Sequence, residues 1–363
     1  MLIMKVLVLT NFGMGLYKFR KELLREFINR GYDVTVSLPD DEYIPKLKEI
    51  GCKYIETKVD RRGINPFTDI GLFFSYIGII KSIKPDIVLT YTIKPNVYGG
   101  MACRITGTPY IPNITGLGTA VEGKGLVQKI ALCLYRAGLK NAKCVFFQNE
   151  TNRRLFIKKG IVKNNTELIP GSGVNLGQHC FEEYPEDDGN IRFLYIGRIM
   201  KDKGIDELLA AAKIIKEKHN NVTFDIIGFC EEGYNEALNE LSGAGIISFH
   251  GQQDDVHRFI KNSHATILPS YHEGMSNALL ESAATGRPVL ASNVPGCIET
   301  FDDGVSGFGF EARSVDSLVN AINKFIELPY EAKRQMGLAG RSKTEREFDR
   351  KVIIDSYLKQ ING

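Results

Sequence analysis

One pattern constrains this chain more than any other feature, and it occurs twice. A short run of apolar residues is followed by a glycine-containing turn and then by an amphipathic helix. The first copy is Val6-Leu7-Val8-Leu9-Thr10, then Asn11-Phe12-Gly13-Met14-Gly15, then a predicted helix over 16–29. That helix carries Leu16, Phe19, Leu23, Leu24, Phe27 and Ile28 at helical spacing, with Gly31 as its stop. The second copy is Ile191-Arg192-Phe193-Leu194-Tyr195-Ile196, then Gly197-Arg198, then a predicted helix over 203–219. Each copy opens a β-α-β alternation. Further strands are predicted at 33–38, 53–56, 86–90, 110–114, 144–148 and 167–169, then at 223–227, 246–249, 265–268 and 288–291. Short apolar strands separated by helices imply parallel sheets covered on both faces. The expected fold class is therefore α/β, with two Rossmann-like domains.

A chain of 363 residues is too long for one ordinary core and suits two domains. The boundary is expected within 171–190, a glycine-rich and then acidic stretch without apolar periodicity. We place the first domain at 1–175 and the second at 176–345, with amphipathic helices toward the end of the chain. Apolar residues make up 43% and charged residues 25%, as in a globular protein rather than a disordered or membrane-spanning one. The longest apolar stretch, 70–80, is about half of what a membrane span needs. The start of the chain reads as a strand and not as a signal peptide. Seven cysteines are scattered without a Cys-x-x-Cys pair, which argues against a disulfide framework or a zinc site and for a reducing cytoplasm.

The net charge of +3 hides an asymmetry. Residues 1–180 hold 26 Lys plus Arg against 14 Asp plus Glu, a balance of +12; the remainder holds 20 against 29, a balance of −9. Two readings stand: ordinary solvated surfaces, or a basic half that meets a membrane or a diphosphate-bearing lipid. Nucleic acid is not expected, because no recognised motif interleaves basic and aromatic residues.

Gly13-Met14-Gly15 can cradle a phosphate at a helix N-terminus or simply make a tight turn. A dinucleotide site is excluded twice: Lys18 stands where the third glycine belongs, and the second strand ends without an acidic residue. The richest segment is Pro269-Ser270-Tyr271-His272-Glu273-Gly274-Met275-Ser276-Asn277, running into a helix through Glu281. It follows a strand at the end of an α/β sheet where ligands bind. The helix N-terminus is a natural seat for a diphosphate. Glu281 can accept hydrogen bonds from a ribose diol; equally, Glu273 and Glu281 can be a helix-start acid and a surface acid. Arg198 and Lys203 follow another strand end and can neutralise a departing phosphate, or be ordinary loop cations.

In this combination the sequence resembles the retaining family 4 glycosyltransferases, of the two-domain GT-B architecture. Glu273 and Glu281 match the family's Glu-x7-Glu motif, and Arg198 and Lys203 resemble its diphosphate-binding Arg and Lys. Gly173-Val174-Asn175 is similar to the interdomain Gly-Val-Asp turn, and Pro295-Gly296-Cys297 to another family segment. Tyr91-Thr92-Ile93-Lys94-Pro95-Asn96-Val97-Tyr98-Gly99 and Asn113-Ile114-Thr115-Gly116-Leu117-Gly118 resemble the capsule and exopolysaccharide subgroup. That group includes enzymes similar to N-acetylgalactosaminyltransferases that extend undecaprenyl-diphosphate-linked sugars.

The resemblance implies two sheets facing a central cleft and a final helix, about 346–363, that crosses back to the first domain. It implies retaining transfer of a hexose or N-acetylhexosamine from a UDP-sugar to a polyprenyl-diphosphate-linked glycan. Glu273 would contact the transferred sugar, with Arg198 and Lys203 on the diphosphate. The backbone of Gly274, Met275, Ser276 and Asn277 would hold the diphosphate or sugar, and Glu281 the ribose. Gly13 and Gly15 would allow close approach to the donor. Lys94, Asn96, Thr115 and Gly116 would lie on the acceptor side.

One departure matters. Many relatives carry a first-domain histidine beside the donor sugar, and here all six histidines lie beyond residue 178. A front-face mechanism is therefore expected, in which the leaving phosphate oxygen takes the acceptor proton. No cofactor or metal is required, since the chain has no Asp-x-Asp triplet. The expected partners are a nucleotide-sugar donor, a glycolipid or glycan acceptor, and the inner face of a membrane. The alternatives are a UDP-sugar epimerase of the same fold, or an inactive binding or scaffold protein.

Overall fold

The computed structural model describes all 363 residues except 1–2, 61–62, 64, 117–124, 164 and 232. Leu117 and Gly118 of the second subgroup segment therefore lie outside the described residues. The chain forms two compact units: residues 1–172 with 351–363, and residues 173–350. The unit border thus falls at 172/173 rather than 175/176, and the return to the first unit at 350/351 rather than 345/346.

The first unit contains β1 (Lys5–Leu9), α1 (Gly13–Asn29), β2 (Asp33–Leu38), α2 (Ile44–Glu49), β3 (Lys53–Glu56), α3 (Pro66–Ile83) and β4 (Ile87–Tyr91). It continues with α4 (Gly100–Thr106), β5 (Tyr110–Ile114), α5 (Leu126–Leu139), β6 (Val145–Phe147), α6 (Glu150–Lys158) and β7 (Thr166–Leu168). The seven strands form one sheet in the order β3-β2-β1-β4-β5-β6-β7. All pairs are parallel. Strands β1, β4 and β5 are almost wholly buried, which is why their sequences read as continuous apolar runs and not as alternation.

The second unit contains β8 (Ile191–Ile196), α7 (Ile205–Lys218), β9 (Val222–Ile227), α8 (Asn235–Gly243), β10 (Ser248–Phe249), α9 (His257–Asn262) and β11 (Ala265–Leu268). Then follow α10 (Asn277–Ala284), β12 (Val289–Ser292), β13 (Gly307–Phe310), α11 (Val315–Glu327) and α12 (Tyr330–Glu347). Its sheet is also parallel, in the order β10-β9-β8-β11-β12-β13. The α/β expectation holds in both units.

The last helix, α13 (Arg350–Asn362), belongs to the first unit. Ile353, Tyr357, Leu358 and Ile361 join the core that Val6, Val8, Leu23 and Phe27 build around β1 and α1. The buried Tyr357 hydroxyl donates to Asn113 Oδ1 and accepts from Tyr91 Oη at 3.0 Å.

Candidate active site

In each sheet the strand order reverses once, between β1 and β4 in the first unit and between β8 and β11 in the second. At such a reversal the loops leaving the two strands part to opposite faces, and a crevice opens at their C-terminal ends. The β8 loop carries Arg198 and Lys203, and the β11 loop carries Glu273. Those strands are hydrogen-bonded neighbours, with Ala265 paired to Phe193 and Thr266 to Leu194. Two stretches some 70 residues apart in sequence therefore meet by topology alone.

Lys203 Nζ is ion-paired with Glu273 Oε1, and the two side chains are only 16% and 14% exposed. The backbone on either side is shaped for this meeting. Gly204 sits at φ +69°, and a Cβ there would fall 2.0 Å from the Pro269 carbonyl oxygen. Gly296 sits at φ +83°, and a Cβ there would fall 2.6 Å from the carbonyl oxygen of Glu273. Only glycine combines that conformation with that closeness. The Tyr271 N–H donates to the Asp202 carbonyl at 3.0 Å, tying the two loops together. Beneath the pair, burial pushes the Tyr195 hydroxyl pKa up, and the Glu273 carboxylate adds to the rise while Arg198 opposes it. Burial also pushes the Cys297 thiol well up, with Glu273 again raising and Lys203 lowering. Tyr195 and Cys297 thus stay neutral in the field of the charges above them.

Helix α10 begins just beyond Glu273, with Ser276 as its cap; the Ser276 hydroxyl accepts from Leu279 N–H at 3.4 Å. The Ser276 N–H, expected to face a ligand, is instead donated to the Gly296 carbonyl at 2.8 Å. Met275, expected beside it, is buried in a small apolar cluster with Val174, Leu280, Ala284 and Phe348. Gly274 is buried and Asn277 half-buried at the start of the helix. Glu281 stands further along α10, its Oε1 3.9 Å from Nε2 of the buried His179. Arg198 bonds Glu231 Oε2 at 2.9 Å while remaining 42% exposed, and its carbonyl accepts from Tyr195 Oη at 2.8 Å. Arg198 and Glu273 therefore flank one tyrosine, although Arg198 has its own acidic partner.

The first unit departs further from expectation. The Gly13 N–H donates to Asp41 Oδ2 at 2.5 Å, and a Cβ on Gly13 would fall 2.4 Å from Asp41 Oδ1. A Cβ on Gly15 would fall 2.8 Å from the Phe12 ring. The room left by both glycines is taken by the chain itself, and a carboxylate already occupies the anion seat of α1. Lys94, expected to meet an acceptor phosphate, is ion-paired with Asp69 at 2.6 Å, and both side chains are 13% exposed. Asn96 is an internal tie and not an acceptor contact: it is buried, accepts from Thr90 Oγ1 at 2.6 Å and donates to the Asn113 carbonyl at 2.8 Å. Thr115 and Gly116 lie half-buried just past the end of β5.

Sequence reasoning missed Asp41, Glu231, His179 and Asp69, since nothing local ties any of them to a partner dozens of residues away. Thr92, quoted in the sequence only as part of the subgroup segment, leaves β4 at φ +70°, and its buried hydroxyl has no hydrogen-bond partner among the described residues. A β-branched residue in that conformation carries strain.

Residues 179–343 match the family described as glycosyl transferases group 1, and residues 5–149 match the family described as glycosyl transferase 4-like. The chain is 27% identical to the N,N'-diacetylbacillosaminyl-diphospho-undecaprenol alpha-1,3-N-acetylgalactosaminyltransferase of Campylobacter jejuni, with 98% of each chain covered. It is 26% identical to the capsular polysaccharide biosynthesis glycosyltransferase CapM of Staphylococcus aureus, again over 98% of each. Among solved structures it is similar to Anabaena Alr3699/HepE in complex with UDP and glucose. That likeness has a TM-score of 0.80 at 17% identity over 99% of each chain, and it concerns the fold.

Proposed function

The chain belongs to the glycosyltransferases that join a glycosyl transferase 4-like half to a group 1 half, and from that premise we propose its reaction. It moves a hexose or N-acetylhexosamine from a UDP-sugar to a polyprenyl-diphosphate-linked glycan, with retention at the anomeric carbon, in the building of a surface polysaccharide. The observation that carries this reading is the Lys203–Glu273 pair at the strand reversal of the second sheet, beside the start of α10. The acceptor class rests on the full-length likeness to the Campylobacter transferase, whose name gives a lipid-diphosphate substrate, and the polysaccharide role on the likeness to CapM.

The chemistry follows from the charges. The bond between the anomeric carbon and the β-phosphate oxygen breaks, leaving negative charge on the diphosphate. Lys203 has three N–H donors, one of which Glu273 takes; the others can serve phosphate oxygens. Arg198 and the positive end of α10 add to that field, which is largest where the charge develops. The acceptor hydroxyl attacks from the face the diphosphate is leaving, and its proton passes to the departing phosphate oxygen. Glu273 meets the sugar and, as a carboxylate, favours positive charge growing at the anomeric carbon. Glu281 binds the ribose. This reading gives the diphosphate's charge to protein cations and a helix end rather than to a metal ion.

The acceptor is membrane-bound in this reading, so the first unit should meet lipid. Phe67, Ile70 and Phe74 of α3 are 83%, 52% and 63% exposed, and Leu126, Val127 and Ile130 of α5 are likewise exposed. Both helices pack on α4 on one face of the sheet. Among the described residues no helix is long and apolar enough to cross a membrane, so contact would be peripheral.

The donor is tested by thermal shift with UDP-, GDP- and ADP-sugars. Stabilisation by one or more UDP-sugars alone is expected. Stabilisation by a GDP- or ADP-sugar without any UDP-sugar would overturn the nucleotide assignment.

A further inference from the structure

Cys180, Glu182 and His257 come together in the second unit. Cys180 Sγ lies 3.8 Å from Glu182 Oε1 and 3.8 Å from His257 Nε2, and the last two atoms are 3.2 Å apart. Zinc bonds of about 2.3 Å to sulfur and about 2.0–2.1 Å to nitrogen and oxygen, set at tetrahedral angles, space their ligand atoms by roughly 3.3–3.6 Å. The triangle already has these edges to within a few tenths of an ångström. We propose that these three side chains hold one zinc-type ion, with the fourth position open to water. A thiolate, an imidazole and a carboxylate together favour zinc over magnesium or calcium, which prefer all-oxygen sites.

The hydrogen bonds around the cluster say which atoms are left to bind. Thr285 Oγ1 has one hydrogen, and it is donated to the Glu281 carbonyl at 2.9 Å. The same oxygen lies 3.4 Å from His257 Nδ1 and can only accept there, so Nδ1 carries a proton. In neutral His257 the Nε2 lone pair then faces the Glu182 carboxylate at 3.2 Å. Two acceptors in contact need a cation between them: either a second proton on the ring or a metal ion. The other Glu182 oxygen is held by Lys261 at 2.9 Å, which leaves Oε1 for the cluster.

The scaffold is fixed before any ion arrives. Arg287, with no exposed surface, donates from Nη1 to the Glu182 carbonyl at 2.9 Å and from Nη2 to the Glu183 carbonyl at 2.8 Å. The Glu182 N–H donates to the Thr285 carbonyl at 3.2 Å. Such support for the atoms behind the ligands is what a metal site requires. A bound ion would clamp the segment after the unit border onto α9. Its His257 ligand stacks edge-on against His179 at 5.8 Å between centroids, and His179 lies beside Glu281.

The sequence pattern concealed this site because the three ligands do not make a recognised motif: a Cys-x-Glu and a histidine 77 residues beyond the cysteine. The proposal does not depend on the sugar-transfer reading. Full-length protein, freed of metal with EDTA and kept reduced, is titrated with Co²⁺. The expected result is one equivalent bound, with a thiolate-to-cobalt charge-transfer band and the intense visible bands of four-coordinate cobalt, all displaced by Zn²⁺. Zn²⁺ should also raise Tm. In Cys180→Ser and His257→Gln the charge-transfer band and the Zn²⁺-induced rise in Tm should be lost. Cys180 is exposed, so Cys180→Ser should melt like the wild type in EDTA. No band at saturating Co²⁺ would overturn the proposal and leave a proton between His257 and Glu182. A band that survives Cys180→Ser would overturn it equally, by moving the thiolate elsewhere.

Discussion

Single residues in the second unit do more than their type suggests. His264 is buried; its Nδ1 accepts from the Arg192 N–H at 3.1 Å and its ring meets Tyr184 edge-on. Burial, followed by the Arg192 charge, pushes its pKa down to about 4 from 6.5. A base whose folded pKa is depressed favours folding while it is neutral. That contribution is complete above pH 6.5 and is lost as pH falls toward 4. The shift corresponds to about 3 kcal/mol. Urea midpoints measured from pH 7 to pH 4 should fall less in His264→Asn, which keeps an acceptor near Nδ1 without a titrating ring. Equal falls in both proteins would remove His264 as the cause.

The same scale shows what a sequence can carry. Arg198, Lys203 and Glu273 stood out in the sequence as charged residues just past strand ends, and Glu281 by its place eight residues beyond Glu273 in α10. Their partners did not. Glu231 on Arg198 and Asp41 on Gly13 come from other loops and Asp69 on Lys94 from the first turn of α3, and each changes what the residue can offer a ligand. Asn96 and Ser276 carried a polar label that turned out to serve the fold itself.

At the scale of elements, buried parallel strands were legible because they lack alternation, and helices α1 and α7 because of their apolar spacing. Strand β13 was missed. Its sequence, Gly307-Phe308-Gly309-Phe310, has glycine where close neighbours leave no space: a Cβ on Gly307 or Gly309 would fall 2.1 Å from Val289 O or Asn293 Oδ1. Packing removed the side chains from which a strand is read. For α3, the apolar segment 67–74 carried two meanings, core and membrane. Leu72 is buried, while Phe67 and Phe74 are exposed. Wild-type protein should therefore co-sediment with vesicles rich in anionic lipid at low salt, and Phe67→Ser/Phe74→Ser should do so several-fold less. Failure of the wild type to bind would end the membrane reading.

Across the whole molecule, one plan is used twice: a parallel sheet that reverses its order once, with the chemistry-bearing loops leaving at the reversal. In the first unit the reversal carries Gly13, Gly15, Lys94 and Thr92, largely occupied by the chain's own groups. In the second it carries the ammonium and carboxylate on which the proposed transfer depends. The repeat was legible because a strand, a glycine turn and a helix are local events. The contents of each reversal were not, because they are set by loops that only the folded chain brings together. The most direct test is turnover with the stabilising donor and a polyprenyl-diphosphate glycan acceptor, comparing wild type with Lys203→Met and Glu273→Gln, each checked for fold by circular dichroism. Loss of kcat by about 100-fold or more in both folded variants is predicted; wild-type turnover in both would contradict the account.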